Sequence, residues 1–329
     1  MADGAAGVAT TLQSKVPSRH AGATLLDYLA GRFRYQTRER WQELIGAGKV
    51  TVNGQAPVAG QVVQQGNVVS YLVVLHEPPV NTDIAILHEE ETFVIAAKPG
   101  NLPSHADGNF ITHTFIHLLT QELARRGWTG LVRLAHRLDR ETSGVMVVAK
   151  TKDAHRRLMQ QFADGWVGKE YLAVVRGRPP QDRFEVGGYL GRDPASTISI
   201  RRTVVAAGSP GAQPAKTIFI RERDLKDAML LRCLPKTGRT NQIRVHLASI
   251  GHPVIGDKLY GRTDEEFLAF IAHVKAGGDP AGAAVDGAAR HLLHAEKLEF
   301  DHPVTGLRVS FTAPPPMDFT RWIDATTTP

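Results

Sequence analysis

The 329-residue sequence has little sulfur to work with: Cys233 is its one cysteine. A single thiol excludes an intramolecular disulfide and points to a reducing compartment. It lies in the apolar stretch "MLLRCLPK", which reads as a strand, so an inert buried thiol is expected rather than a nucleophile. Long apolar runs are also missing, and none reaches the ~18 residues of a membrane span. The opening "MADGAAGVATTLQSKVPSRH" lacks the charged-then-apolar order of a secretory signal. The expectation is a soluble cytoplasmic chain with no membrane partner. Acidic residues are in deficit, 33 against 39 Lys and Arg, and the net charge of +6 favours a polyanionic partner.

Sites for metal and nucleotide are absent by pattern as well. His113 and His117 stand at i, i+4 and His291 and His294 at i, i+3, but neither pair has a third ligand of clear spacing. "GAQPAKT" places Ala215 where a phosphate loop needs glycine before its lysine, and "HEEET" lacks the second histidine of a metalloprotease helix.

What is present divides the chain into a small and a large domain. Residues 1–18 are small and polar and read as a disordered tail. From residue 19 to 76 the order is helix ("ATLLDYLAGRF"), helix ("TRERWQELIGAG", with Thr37 as N-cap), an Asn-Gly hairpin ("KVTVNGQAPV") and further short strands. Residues 77–83 form a proline-bearing linker. From 84 to 329 strands and helices mix without strict βαβ alternation. That predicts an α+β class: a mixed, largely antiparallel sheet with flanking helices, beside a small α/β N-terminal domain. Within it, residues 262–290 are a peripheral insertion, a helix running into an Ala/Gly-rich loop.

The densest stretch is "LAHRLDRETSGVMVVAK", Leu134 to Lys150. Its second half reads as a buried strand. Before that strand, one carboxylate, Asp139, stands between Arg137 and Arg140, with His136 upstream. A surface ion pair is the bland account. Against it, Gly144 closes a polar turn directly before a strand, where a site is held on a rigid scaffold. The Thr142 and Ser143 hydroxyls can bond the turn backbone. A second segment, "LPKTGRTNQIRVHLASIGHPVIGDKLYG", can aim Arg244 inward, and an inward arginine needs a carboxylate partner. Asp139 is the candidate, and the pairing would keep it a charged nucleophile or base rather than a general acid.

"HRLDRETSG" resembles the catalytic motif of the RluA-type pseudouridine synthases. "AAKPGNLPSH" is similar to the family's first motif, "GKEYLAVVRG" to its tyrosine motif, and "TGRTNQIRVHLASIGHPVIGDKLYG" and "HLLHAEKLEFDHPVTG" to its third and last. Asn241 departs from the family's usual histidine. "LLDYLAGRF", "LIGAGKVTVNG" and "GNVVSYLV" resemble an S-four-like RNA-binding domain, with Asn67 where an acidic residue is usual. The resemblance implies isomerisation of uridine to pseudouridine without a cofactor. Asp139 is then the essential carboxylate, Arg244 its partner, and Tyr171 the group that packs on uracil.

The uridine would be flipped from the RNA. Arg137 would fill the vacated place, or else bind phosphate. Arg140, Lys236 and Arg239, with Arg32, Arg38 and Lys49 of the N-terminal helices, would contact RNA. His136 is structural or a phosphate contact. The RNA is ribosomal on the evidence of the N-terminal domain, or transfer RNA on that of "SHADGNF"; no protein partner is inferred. Two other classes compete: a non-catalytic RNA-binding or ribosome-assembly protein, and a glycoside hydrolase, which normally needs two paired carboxylates.

Overall fold

The computed structural model describes residues 8–33, 36–75, 77–107, 110–275 and 284–327. The chain forms two units, Met1–Pro79 with Ala106–Thr112, and Val80–His105 with His113–Pro329. In the first, α1 (Leu25–Arg32) and α2 (Arg38–Gly46) are started by Thr24 and Thr37, whose hydroxyls accept the Asp27 and Arg40 backbone N–H groups. Strands β1 (Val8–Lys15), β2 (Val50–Val52) and β3 (Val68–Leu75) form an antiparallel sheet in the order β1-β3-β2. Tyr28, Leu29 and Trp41 from the helices meet Val50, Val69 and Tyr71 from the sheet in a buried core. Residues 106–112 join this unit through Glu77, whose carboxylate accepts N–H bonds from Ile111 and Thr112 at 3.0 and 2.8 Å.

Two expectations are corrected here. Residues 8–15 are not part of a tail but pair along the whole of β3, with Leu12 opposite Tyr71. The polar Thr, Gln and Ser residues hid the strand, because one face of an antiparallel sheet may be wet. The hairpin also fails beyond its turn. Asn53 and Gly54 take the positive φ values of an Asn-Gly turn, 51° and 79°. The second arm then ends at a lone bridge, Gln55 with Val52, because Pro57 has no N–H to extend a ladder, and β2 pairs with β3 instead. Residues 1–7 of the expected tail and residues 108–109 of "SHADGNF" lie outside the described residues.

The second unit is built on one mixed sheet. Its strands are β4 (Ala85–Glu89), β5 (Phe93–Lys98), β6 (Arg133–Leu134), β7 (Ser143–Ala149), β8 (Gly168–Arg176), β9 (Arg183–Arg192), β10 (Arg202–Val205), β11 (Gln213–Leu225), β12 (Ala228–Pro235), β13 (Leu293–Asp301) and β14 (Arg308–Thr312). The order is β10-β9-β11-β12-β8-β13-β7-β5-β4, with β14 on β13 and β6 on β7. Among the described residues one pair is parallel, β13 with β7, where Ala295 lies opposite Gly144. The crossing there is tight: a Cβ on Gly144, at φ +129°, would stand 2.1 Å from the Ala295 carbonyl oxygen.

Helix α3 (Phe115–Arg125) packs its Phe115, Leu119 and Leu123 on Val94, Ala96, Met146 and Val148. Helix α4 (Lys152–Asp164) packs Ala154 and Leu158 on Phe93, Ile95, Val145 and Val147. The alternate residues of β5 and β7 thus feed opposite layers, which is why "GVMVVA" is apolar at every position. Burial of each large side chain contributes about 1.5–3 kcal/mol, enough to make this the rigid centre of the unit. Helix α5 (Gln242–Ser249) sets Ile243 and Leu247 against Phe219 and Cys233. Cys233 is fully buried, and burial pushes its thiol above its ordinary range. The insertion supplies α6 (Asp264–Lys275), residues 276–283 lie outside the described ones, and α7 (Met317–Thr326) follows β14. No helix among the described residues is long and apolar enough to cross a membrane.

Candidate active site

The loop carrying Asp139 leads from β6 into β7 and is fastened from below. Ser104 Oγ donates to the Leu138 carbonyl at 2.7 Å and accepts the Leu138 N–H at 3.1 Å. The Leu102 N–H bonds the Arg140 carbonyl at 3.0 Å. Lys98 Nζ, buried in the Lys-Pro-Gly loop, donates to the carbonyls of Pro99, Leu102 and Arg140 at 2.8, 2.8 and 3.1 Å. Burial, and then the neighbouring Arg290, pull its ammonium well below the usual lysine range. Arg290 Nη1 donates to the Glu141 carbonyl at 2.8 Å. Backbone groups that would otherwise be orphaned in the interior are thereby satisfied, and the loop has one geometry.

The hydroxyls of Thr142 and Ser143 work differently from expectation. They bond imidazoles rather than the turn backbone: Thr142 Oγ1 meets His291 Nε2 at 2.8 Å and Ser143 Oγ meets His294 Nδ1 at 2.9 Å. His294 Nε2 donates to the Ala313 carbonyl at 2.9 Å. The i, i+3 histidine pair is thus spent on buried hydrogen bonds.

Arg244 is the hinge of the site. Its Nε and Nη2 bond Asp257 Oδ2 and Oδ1 at 2.7 and 2.9 Å. Nη1 then donates to Asp139 Oδ2 at 3.1 Å and Asn241 Oδ1 at 3.2 Å. The guanidinium carbon lies 4.9 Å over the Tyr260 ring, and Tyr260 Oη accepts from Asn241 Nδ2 at 3.0 Å. Asn241 can serve both because its backbone is left-handed, φ +56°, at the start of α5. Burial alone would lower the Arg244 pKa, but Asp257 and then Asp139 outweigh it and hold the group charged. The expected Asp139–Arg244 pairing is present; sequence reasoning missed Asp257, which is 2 % exposed. Its signal was weak, an acid in the turn "GDKLYG", where it also accepts the Leu259 and Tyr260 N–H groups.

Asp139, Tyr171 and Arg244 line one cavity of about 540 Å³, with His136, Arg137, Lys236 and Arg239. Burial, then the Asp139 charge, push the Tyr171 phenol above its ordinary range, so it stands as a neutral ring beside a carboxylate. His136 accepts the Val147 N–H at 3.1 Å and stacks on Phe162, with ring centroids 4.6 Å apart. Burial, and then Lys169, lower its pKa to about 3. It is a neutral wall of the cavity. Arg137 is exposed at the mouth, with Nη1 3.2 Å from His105 Nε2.

Other expected residues fall elsewhere. Arg140 turns to Glu141, 3.6 Å away, and is not in the cavity wall. Glu141 is held by Lys258 at 2.7 Å and faces a second cavity, so it does not pair with Asp139 as a glycosidase acid would. Arg32, Arg38 and Lys49 belong to the N-terminal unit, where Arg38 is bonded to Asp27 at 2.6 Å and Arg32 to Ser14 at 3.4 Å. Lys169 is a cavity residue that the sequence reading passed over. Among the described residues no group of three or more His, Cys, Asp or Glu is placed to hold a metal.

A family model described as RNA pseudouridylate synthase matches residues 92–249, which hold Asp139, Tyr171 and Arg244. The chain is 32% identical over 302 residues to ribosomal large subunit pseudouridine synthase D of Zymomonas mobilis, covering 88% of this chain and 89% of the relative. It is 33% identical over 332 residues to the enzyme of that name from Xylella fastidiosa, covering 99% and 95%. Among solved structures, human RNA pseudouridylate synthase domain containing 4 matches with a TM-score of 0.54 and 26% identity, covering 72% of this chain and 90% of that one. A site of one buttressed aspartate, with arginine and tyrosine around it, thus stands in a chain that aligns with the two bacterial enzymes over 88% and 99% of its length, and the protein belongs to the RluA-type RNA pseudouridine synthases.

Proposed function

We propose that this enzyme isomerises uridines of ribosomal RNA, with Asp139 as the essential carboxylate and the target base flipped into the cavity. The observation that carries the reading is the Arg244 Nη1 bond to Asp139 at 3.1 Å, at the wall of a cavity that also contains Tyr171. The bond from the base nitrogen to the sugar breaks and one from carbon 5 to the same sugar carbon forms. Carbon 5 loses a proton and the nitrogen gains one, so no redox partner is required. Arg244 keeps the carboxylate aimed. Tyr171 packs on the uracil, and its protonated hydroxyl relays the carbon-5 proton, giving up its own as it receives that one. Flipping costs a few kcal/mol, which Arg137 offsets by stacking in the vacated place.

Ribosomal RNA is favoured over transfer RNA by the names of the most similar relatives. The N-terminal unit, with two capped helices and Arg32, Arg38 and Lys49, is read as an S-four-like RNA-binding domain. The test is tritium release from RNA labelled at uridine carbon 5, using ribosomal and transfer-RNA transcripts separately. Release from ribosomal RNA that is lost in Asp139→Asn, with RNA binding retained, is the expected outcome. Release from transfer RNA alone would overturn the substrate, and full activity of Asp139→Asn would overturn the mechanism.

A further inference from the structure

The cavity wall carries cations that the bond-breaking and bond-making steps do not use. Arg137, Lys169, Lys236 and Arg239 have no ion-pair partner among the described residues. Other inward cations of the unit are satisfied, Arg232 by three glutamates, Lys258 by Glu141, Arg290 by Asp318 and Lys98 by three carbonyls. Lys169 is the most instructive of the four, because it is half-buried on a strand rather than free on a loop. One of its three N–H donors is taken, by the Thr237 carbonyl at 3.2 Å. A lysine partly removed from water with two donors open and no ion pair is a standing cost unless an anion arrives.

Strand geometry gives the anion its place. Lys169 and Tyr171 are alternate residues of β8, so they share one face and are about 7 Å apart along the strand. Glu170 between them faces away, to Arg232 and Lys297. Opposite Lys169 is the turn at Gly238, where a Cβ would lie 3.6 Å from Nζ. Beyond it Arg239 spends only Nε, on the Pro214 carbonyl at 3.0 Å. We propose that Lys169 and Arg239 form a phosphate subsite for the RNA backbone beside the flipped uridine, on the same strand as the tyrosine that receives the base. Burial, then Arg239, draw the Lys169 ammonium below the usual lysine range, the direction expected of a cation lacking its counter-charge. The inference rests on the proposed function, since it takes the base to lie at Tyr171.

The experiment measures RNA affinity against salt for Asp139→Asn and for the same chain carrying Lys169→Gln, Lys169→Met or Lys169→Arg. Loss of one phosphate contact lowers the slope of log affinity against log salt by about 0.7–0.9. Both neutral variants should show that loss and Lys169→Arg should not. In the otherwise intact enzyme, Lys169→Gln should raise KM roughly tenfold and leave kcat within about threefold, which a merely structural lysine would not do. An unchanged slope and KM in both neutral variants would overturn the subsite. Competition by inorganic phosphate that depends on Lys169, without any effect on the RNA salt slope, would make it a free-anion site and overturn it as well. Should the parent release no tritium from any RNA, the underlying function fails instead, and that result is read separately from the salt slopes.

Discussion

Asp257 grips the back of the Arg244 guanidinium with two hydrogen bonds, 2.7 and 2.9 Å, and so decides which edge of it Asp139 meets. The Asp139–Arg244 pair is in effect a triad with a hidden acid. Asp257→Ala should leave a buried arginine short of counter-charge, and removing one partner of such a pair costs about 3–5 kcal/mol. Urea unfolding should register that loss, and tritium release should fall by at least tenfold. An Asp257→Ala enzyme as stable and active as the parent would remove Asp257 from the site.

Gly144 is where β7 and β13 cross most closely. A methyl group there would meet the Ala295 carbonyl at 2.1 Å, in a backbone region that L-residues rarely occupy. Gly144→Ala should therefore destabilise the fold by more than about 3 kcal/mol, although no side chain of the cavity is touched. The check is the denaturation midpoint of purified protein, or the soluble yield if it cannot be purified.

His246, His291 and His294 are buried neutral, and half-buried His136 is neutral with them. Burial takes His136 to about 3 and His246 and His294 to about 4, and holds His291 well below its ordinary range. Their folded pKa values lie below the unfolded value of about 6.5, so the unfolded chain binds more protons in acid. The stability they confer is complete above about pH 6.5 and is lost as the pH falls towards 4, at up to roughly 1.4 kcal/mol per histidine per pH unit. Unfolding free energies measured from pH 7 to 4.5 should fall steeply. Replacing His136 by Gln should remove about one proton from that slope.

The Tyr171 phenol is raised by burial and by Asp139, so it stays protonated throughout the range in which the protein can be assayed. The pH–rate profile should show no rise near pH 10 from its ionisation. Tyr171→Phe keeps the ring and loses the hydroxyl: RNA affinity should change less than threefold while tritium release falls by about 10²-fold or more. Equal release by both proteins would leave the ring as the only contribution of this residue.

Much of this site could be read from the residues in order. An inward arginine demands an acid, and that demand joined Asp139 to Arg244 across 105 positions. The all-apolar "GVMVVA" announced a strand covered on both faces. What the sequence concealed has a common cause: partners set by the path of the chain rather than by local pattern. Asp257 reads as an ordinary turn acid until the 250–261 loop folds back on α5. Lys98 looks like a surface lysine until three carbonyls surround it. Lys169 looks like the polar residue of an alternating strand, and only the cavity shows which face it occupies. The strand at residues 8–15 was lost for a different reason, since its polar composition carries no apolar period.

The parallel pairing of β13 with β7 has a consequence for how this protein comes into being. Asp139 precedes Gly144, yet the ground beneath it is laid by Arg290, His291 and Ala295, some 150 residues later. Contacts so distant in sequence form late. On the ribosome, the aspartate motif is finished long before anything can hold it in shape. A nascent chain that stops short of Arg290 should carry Asp139, Tyr171 and Arg244 and still be inert, so the enzyme switches on only as the last part of its fold is delivered.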